Sequence, residues 1–217
     1  MRSVWLIRHA ESEANAGLPT ANPSHIGITA RGSAQAALAA KALHHAPELV
    51  VTSPYLRTAR TAAPMLARFG PLPQEEWPVE EFTYLSPERC GTSTTQQRRP
   101  MVDEYWARAD PAFVDGPGAE SFRTLLTRAS GLVQRLATRR EPFTVVYTHG
   151  QFIRAVLWTT LFGGSVHAGG DEMRRFRQFA TAVEVPNTSI TRLTLDGAGC
   201  AVGGVDVSHL PEELVTP

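Results

Sequence analysis

The sequence predicts an α/β fold: a three-layer sandwich with a mostly parallel central sheet and helices on both faces. Three observations carry this. Short β-prone runs alternate with segments of helical period through most of the chain, the pattern of strands joined by crossover helices. A length of 217 residues suits one medium-sized domain with a sizeable core. Three of the apolar runs end in chemically marked residues: Arg8-His9, Ser53 with Arg57 one turn on, and Thr148-His149. In a parallel sheet such carboxyl ends share one edge, where open α/β sheets collect ligands.

The elements follow in order. Residues 3–8 read as a buried strand built on Val4-Trp5-Leu6-Ile7. Residues 9–30, broken by Gly17, Pro19, Pro23 and Gly27, form a loop long enough to rim a pocket. Thr29-Ala30-Arg31-Gly32 starts an Ala-rich helix over 31–46, and residues 48–52 form a second strand. Ser53 and Pro54 are start signals for a helix over 55–69. Residues 79–82 read as a short third strand. Residues 84–117 are polar, Arg-rich and irregular, with a helix across 94–109. They are read as a lid or insert over the active face, inside a single domain spanning 1–217. A long helix over 119–140 leads to a strand over 143–147, which runs directly into His149. Helices over 151–162 and 170–180 follow, then two strands, 189–195 and 200–207, joined by a Gly-containing turn.

Composition narrows the function classes. Hydrophobic residues make up 42% and charged residues 19%, the balance of an ordinary globular chain. Formal net charge is zero, so no broad basic field is offered to nucleic acid or to an anionic membrane. An anionic substrate must be drawn by a local pocket. The basic residues are 20 Arg and one Lys, Lys41, which lowers the weight of any single Arg. Cys90 and Cys200 match no metal or redox spacing, and the expected compartment is the reducing cytoplasm. No apolar run approaches membrane-spanning length, and no signal-peptide pattern opens the chain.

A guanidinium beside an imidazole at a strand end suits phosphate chemistry. Arg8 can grip non-bridging oxygens in a fork, and His9 can attack phosphorus. Alone, the pair is weak evidence, since a packed surface histidine after a strand would look the same. Three further stretches reinforce it: Ser53-Pro54-Tyr55-Leu56-Arg57-Thr58-Ala59-Arg60-Thr61, Gly118-Ala119-Glu120-Ser121-Phe122, and Val145-Val146-Tyr147-Thr148-His149-Gly150.

In that order these stretches resemble the histidine phosphatase superfamily, which includes the cofactor-dependent phosphoglycerate mutases. The resemblance runs from about Val4 to Leu195 and is strongest over residues 6–15 and 148–150. Many members carry Gly after the first His; this chain has Ala10, so its turn should use an ordinary backbone conformation.

The resemblance and the residue chemistry together assign roles. His9 is the nucleophile, since neutral imidazole outcompetes water and yields a hydrolysable phosphohistidine. Arg8 and Arg57 form the phosphate clamp; Arg57 fits the family's Ser-x-x-x-Arg-x-x-x-Thr pattern, and Arg60, one turn on, is an alternative. His149 would donate a hydrogen bond to the transferring phosphoryl group, and Gly150 would let backbone approach an oxyanion. Asn15 matches the family's asparagine seven residues after the Arg, with a local turn role as its rival. The general acid is Glu81, aligned with the family's acid after the third strand; Glu80, Glu88 and Glu120 remain open. Glu120 is read mainly as opening the 119–140 helix and orienting pocket groups. His25, His44, His45, His167 and His209 have no convincing partners, and no cluster has metal-site spacing, so neither metal nor other cofactor is called for.

These roles imply a metal-independent phosphomonoester phosphatase acting on a small phosphorylated metabolite through phospho-His9. A mutase of the same chemistry is the alternative, although residues 84–117 do not resemble the mutases' longer central region. A non-catalytic phospho-ligand binder is the third reading. No nucleic-acid or membrane partner is expected, and a homodimer is left open.

Overall fold

A computed structural model of the chain describes residues 1–163, 168–197 and 199–217; His167 lies outside them. The first strand, β1 (Arg2–Arg8), is followed by α1 (Ala30–Ala42), β2 (Leu49–Thr52), α2 (Leu56–Phe69) and β3 (Gln74–Glu76). The segment after β3 holds two helices, α3 (Pro87–Cys90) and α4 (Arg99–Arg108). Then come α5 (Phe122–Thr138), β4 (Phe143–Thr148), α6 (Gly150–Phe162) and α7 (Gly170–Ala182), and finally β5 (Ile190–Asp196) and β6 (Gly199–Asp206).

The six strands form one sheet in the order β3-β2-β4-β1-β5-β6. The first four are parallel, while β5 and β6 extend the sheet antiparallel from β1. Alternation along the strands makes the layers. Val4, Leu6, Leu49, Val51 and Val146 face a large core with α5, α6 and α7, whereas Ile7, Val50, Val145 and Tyr147 face a smaller one with α1 and α2. This is the expected three-layer α/β sandwich. Among the described residues no helix is long and apolar enough to cross a membrane.

The position of β4 decides where the site forms. It inserts between β1 and β2, with Arg8 paired to Thr148 and Thr52 to Tyr147. Three strand ends from distant parts of the chain therefore stand side by side. Gly32 is required where α1 meets the loop after β1, because a Cβ there would lie 2.2 Å from the Glu11 carbonyl oxygen.

One expected element is corrected. Residues 79–82 are not a strand; the third strand is the short polar edge segment β3, paired in parallel with β2. The apolar residues of 79–82 bury as irregular chain, and side chains take their carbonyls: Thr148 Oγ1 donates to Val79 O at 2.5 Å, and Arg128 Nη1 to Glu80 O at 3.1 Å. With its acceptors satisfied in this way, the segment needs no ladder. The opening of α5 is also corrected. Ser121, not Glu120, caps that helix, its side chain accepting from Thr124 N at 3.1 Å. The helix expected across 94–109 is the shorter α4.

Candidate active site

The carboxyl edge of the sheet opens into a cavity of about 240 Å³, lined at its deep end by Arg8, His9, Asn15, Arg57 and Glu81. Residues of the 84–117 segment, including Tyr84, Leu85, Arg98 and Val102, make its outer wall.

His9 is buried and firmly held. Its Nδ1–H donates to Ala10 O at 2.8 Å, which leaves the Nε2 lone pair free. The His9 backbone N–H donates to Thr148 O at 2.8 Å, and Asn187 Nδ2 donates to the His9 carbonyl at 3.0 Å. Burial first, then the charges of Arg57 and Arg8, push the His9 pKa well below 6.5, so the imidazole is neutral at pH 7. Ala10 keeps a negative φ, the conformation an alanine prefers; Ala109 and Thr188 are the non-glycine residues at positive φ among those described.

Arg8 and Arg57 are nearly buried, and neither has a carboxylate within salt-bridge distance among the described residues. Arg8 Nη1 donates to Val185 O at 2.6 Å, while its Nε is buried with no acceptor. Arg57 Nη1 donates to Pro23 O at 2.6 Å. Burial pulls both guanidiniums down to about 10, partly countered by the charge of Glu81, and both remain cationic at neutral pH. Two buried cations and an orphaned donor at one cavity end have the chemistry to hold an anion.

His149 is fully buried, its ring centroid 5.0 Å from that of His9. Arg57 Nη2 lies 3.0 Å from His149 Nδ1, and His149 Nε2 lies 2.7 Å from Ser53 Oγ. A guanidinium cannot accept, so Nδ1 is the acceptor and Nε2–H donates to Ser53. Burial, then Arg57, hold this imidazole neutral as well. His149 does not itself line the cavity; its neighbours Arg57 and His9 do.

Of the four candidate acids, Glu81 lines the cavity. Its Oε1 accepts from Phe82 N at 2.9 Å and from Gln151 N, at the start of α6, at 3.1 Å. Glu80 turns toward Arg128, 3.8 Å away. Glu120 is paired with Arg128, and its backbone N–H donates to Thr83 O at 2.8 Å, which braces the segment carrying Glu81. Glu88 is exposed on α3.

Asn15 reaches the cavity with its Oδ1 occupied by Ser12, leaving Nδ2 as the outward donor. Gly150 is placed differently from the expectation. It is not in the cavity wall, and a Cβ there would stand 3.2 Å from Arg154 Nη1 and 3.3 Å from Arg8 Nε, so its missing side chain makes room for both guanidinium side chains. Arg60 also stays outside the lining. His25, His44 and His45 stay outside it too, and His209 is half-buried near the end of β6. Among the described residues no three His, Cys, Asp or Glu are grouped to hold a metal.

Ser53 is marked in the sequence as a strand end, a helix start and the first position of the Ser-x-x-x-Arg-x-x-x-Thr pattern, but nothing local signals its contact with His149. Two further residues of this geometry carry no motif signal. Gln35 and Asn187, both fully buried, lie in unmarked stretches and anchor the backbone of Glu11 and His9. Only their burial as polar groups reveals them.

Solved structures share this fold. No curated protein matches the chain. Among solved structures, a mutant phosphoserine phosphatase from Entamoeba histolytica in complex with phosphoserine is 19% identical, with a TM-score of 0.72, covering 97% of this chain and 100% of that one. A putative alpha-ribazole-5'-P phosphatase from Escherichia coli is 20% identical, with a TM-score of 0.71 and coverage of 95% and 98%. A mycobacterial glucosyl-3-phosphoglycerate phosphatase in complex with VO3 is 21% identical, with a TM-score of 0.71 and coverage of 96% and 100%. The sequence profile of the histidine phosphatase superfamily (branch 1) matches residues 4–207, nearly the whole chain, and the protein belongs to that superfamily.

Proposed function

We propose that the protein is a phosphomonoester phosphatase working through phospho-His9 on a small phosphorylated metabolite. The observation that carries this is the neutral His9, its Nδ1 tied to Ala10 O, set between two buried guanidiniums without salt-bridge partners. The three phosphatases of the same fold support a hydrolase over a mutase.

Arg8, Arg57 and Asn15 Nδ2 bind the non-bridging oxygens, and Arg57 leaves His149 Nδ1 as it turns to the phosphate. The dianion then favours protonation of His149, whose Nδ1–H donates to the phosphoryl group while Nε2–H stays on Ser53. Nε2 of His9 attacks phosphorus and the ester P–O bond breaks. Glu81 gives its proton to the leaving oxygen. The Glu81 carboxylate next takes a proton from water, whose oxygen displaces His9 from phosphorus and releases phosphate. The 84–117 segment acts as a lid that excludes bulk water from these steps.

Turnover of a chromogenic phosphomonoester, quenched during steady state, tests this. An acid-labile, alkali-stable phosphoryl group should appear on the His9 peptide, turnover should persist in EDTA, and vanadate should inhibit. His9→Ala should abolish turnover and keep phosphate binding. Label on serine, or activity lost to chelator, would refute the mechanism. A silent protein that still binds phosphate would favour the binder reading.

A further inference from the structure

We infer that the Arg128–Glu120 ion pair positions the general acid: it fixes the irregular chain that carries Glu81 and so governs proton delivery to a poor leaving group. This rests on the phosphatase reading above, with Glu81 as the acid, and adds to it two positioning residues outside the cavity. Residues 78–83 are not a strand, so no ladder holds them. Irregular buried chain keeps one conformation only where other groups take its polar atoms. Arg128, on α5, takes two of its carbonyls: Nη1 donates to Pro78 O at 3.0 Å and to Glu80 O at 3.1 Å. The other edge of the guanidinium is a fork onto Glu120, with Nε donating to Oε2 at 3.0 Å and Nη2 to Oε1. The Glu120 backbone N–H then donates to Thr83 O at 2.8 Å. One ion pair therefore grips the chain on both sides of Glu81.

The same guanidinium registers that chain against α6. Arg128 Cζ lies 5.0 Å from the ring centroid of Phe152, which is fully buried. The residue before it, Gln151, donates its N–H to Glu81 Oε1 at 3.1 Å. Arg128 thus touches the chain that bears Glu81 and packs beside the helix start that holds the Glu81 side chain. Both members of the pair are largely buried, with side chains 13% and 17% exposed, and neither lines the cavity. They act through Glu81 and not on substrate. Only a planar fork can serve Glu120 and two carbonyls at once; an ammonium on a flexible stem cannot.

Two esters test this. Benzyl phosphate releases an alcohol that needs a proton, whereas p-nitrophenyl phosphate releases a phenolate that does not. Arg128→Met combined with Glu120→Gln removes the pair without stranding either charge. In that variant kcat for benzyl phosphate should fall by about tenfold or more, while kcat for p-nitrophenyl phosphate changes by less than about twofold. KM for benzyl phosphate and inhibition by inorganic phosphate should hold, because Arg8, Arg57 and Asn15 are untouched. Arg128→Lys should fall between the wild type and the pair variant, and it decides by the same ratio if the pair variant does not fold. Glu81→Gln, measured alongside, separates the possible failures. If it discriminates between the esters while the folded Arg128 variants lose both activities alike, or neither, the pair is only structural. The inference is then overturned and the phosphatase reading stands. If Glu81→Gln slows both esters equally, the acid lies elsewhere and the inference falls with it. A wild type inert toward both esters would sink the phosphatase reading itself.

Discussion

Arg57 Nη2 donates to His149 Nδ1 at 3.0 Å, so the guanidinium rests on the imidazole. The same contact fixes the tautomer: Nε2 of His149 carries the proton and gives it to Ser53 Oγ at 2.7 Å. Ser53 in turn donates to Thr58 Oγ1, 3.0 Å away, and accepts from Tyr55 N at 3.2 Å. Ser53→Ala would leave Nε2–H buried without an acceptor. We expect kcat to fall about 10²-fold with KM little changed, and the acid limb of the pH profile to move. Ser53→Thr should restore part of the loss. A variant with normal kcat and an unmoved pH profile would show that Ser53 only starts α2.

Arg57→Ala should lower kcat/KM by about 10³-fold, and Arg57→Lys by less, because lysine keeps the charge and loses the fork. The thermal midpoint should change little in both, since losing the bonds to Pro23 O and His149 Nδ1 is offset by removing a desolvated cation that has no salt-bridge partner. Steady-state kinetics with melting curves checks this. A loss confined to Arg60→Ala would move the clamp one turn along α2.

Glu81→Gln should slow alkyl phosphates by about 10²–10⁴-fold and p-nitrophenyl phosphate far less, since nitrophenolate departs without a proton. The comparison is kcat on the two substrate types. Equal losses would turn attention to Glu120, whose pairing with Arg128 otherwise marks it as a brace.

Stability should depend on the two buried imidazoles. Unfolded histidine takes a proton near 6.5, while burial keeps His9 and His149 neutral well below that value in the folded state. The unfolded chain therefore binds more protons in that window. Stability is full above pH 6.5 and falls as pH drops below it, by up to about 1.4 kcal/mol per pH unit for each site. Melting temperatures from pH 8 to 5 should show the decline, and His149→Gln should flatten it. An unchanged slope in that variant would mean that His149 titrates normally.

A buried relay ties Thr216 to the backbone of His9. Glu11 N–H donates to Gln35 Oε1 at 2.7 Å, and Gln35 Nε2 donates to Thr216 Oγ1 at 2.8 Å. Thr216 Oγ1 donates to Asn187 Oδ1 at 3.0 Å, and Asn187 Nδ2 holds the His9 carbonyl. The next residue, Thr188, sits at φ +57°, a strained conformation for a β-branched side chain, and its N–H reaches Arg8 O at 3.1 Å. Asn187→Ala should cost about 1–3 kcal/mol of stability and lower kcat about tenfold, because partners on both sides lose their bonds. Denaturant midpoints and single-turnover rates decide it; full activity in a folded variant would limit Asn187 to stability.

The sequence determined what short-range pattern can encode. Strand-end Arg8-His9, helix-start Arg57 and strand-end His149 were all placed by a few neighbouring residues, because an apolar run and its terminating turn are local events. The alternation of strands and helices likewise implied both layers of helices and a shared ligand edge. Tertiary structure decided the rest. Residues 79–82 have the composition of a strand, yet Thr148 and Arg128 capture their carbonyls, so Glu81 reaches the cavity on irregular chain. Insertion of β4 between β1 and β2 brings the rings of His9 and His149 to 5.0 Å across most of the chain's length. No local signal specifies such a neighbour, because pairing order is chosen by how two cores are filled at once. Gln35, Asn187 and Thr216 became legible for the same reason: a polar side chain declares its purpose only when its buried partners are known.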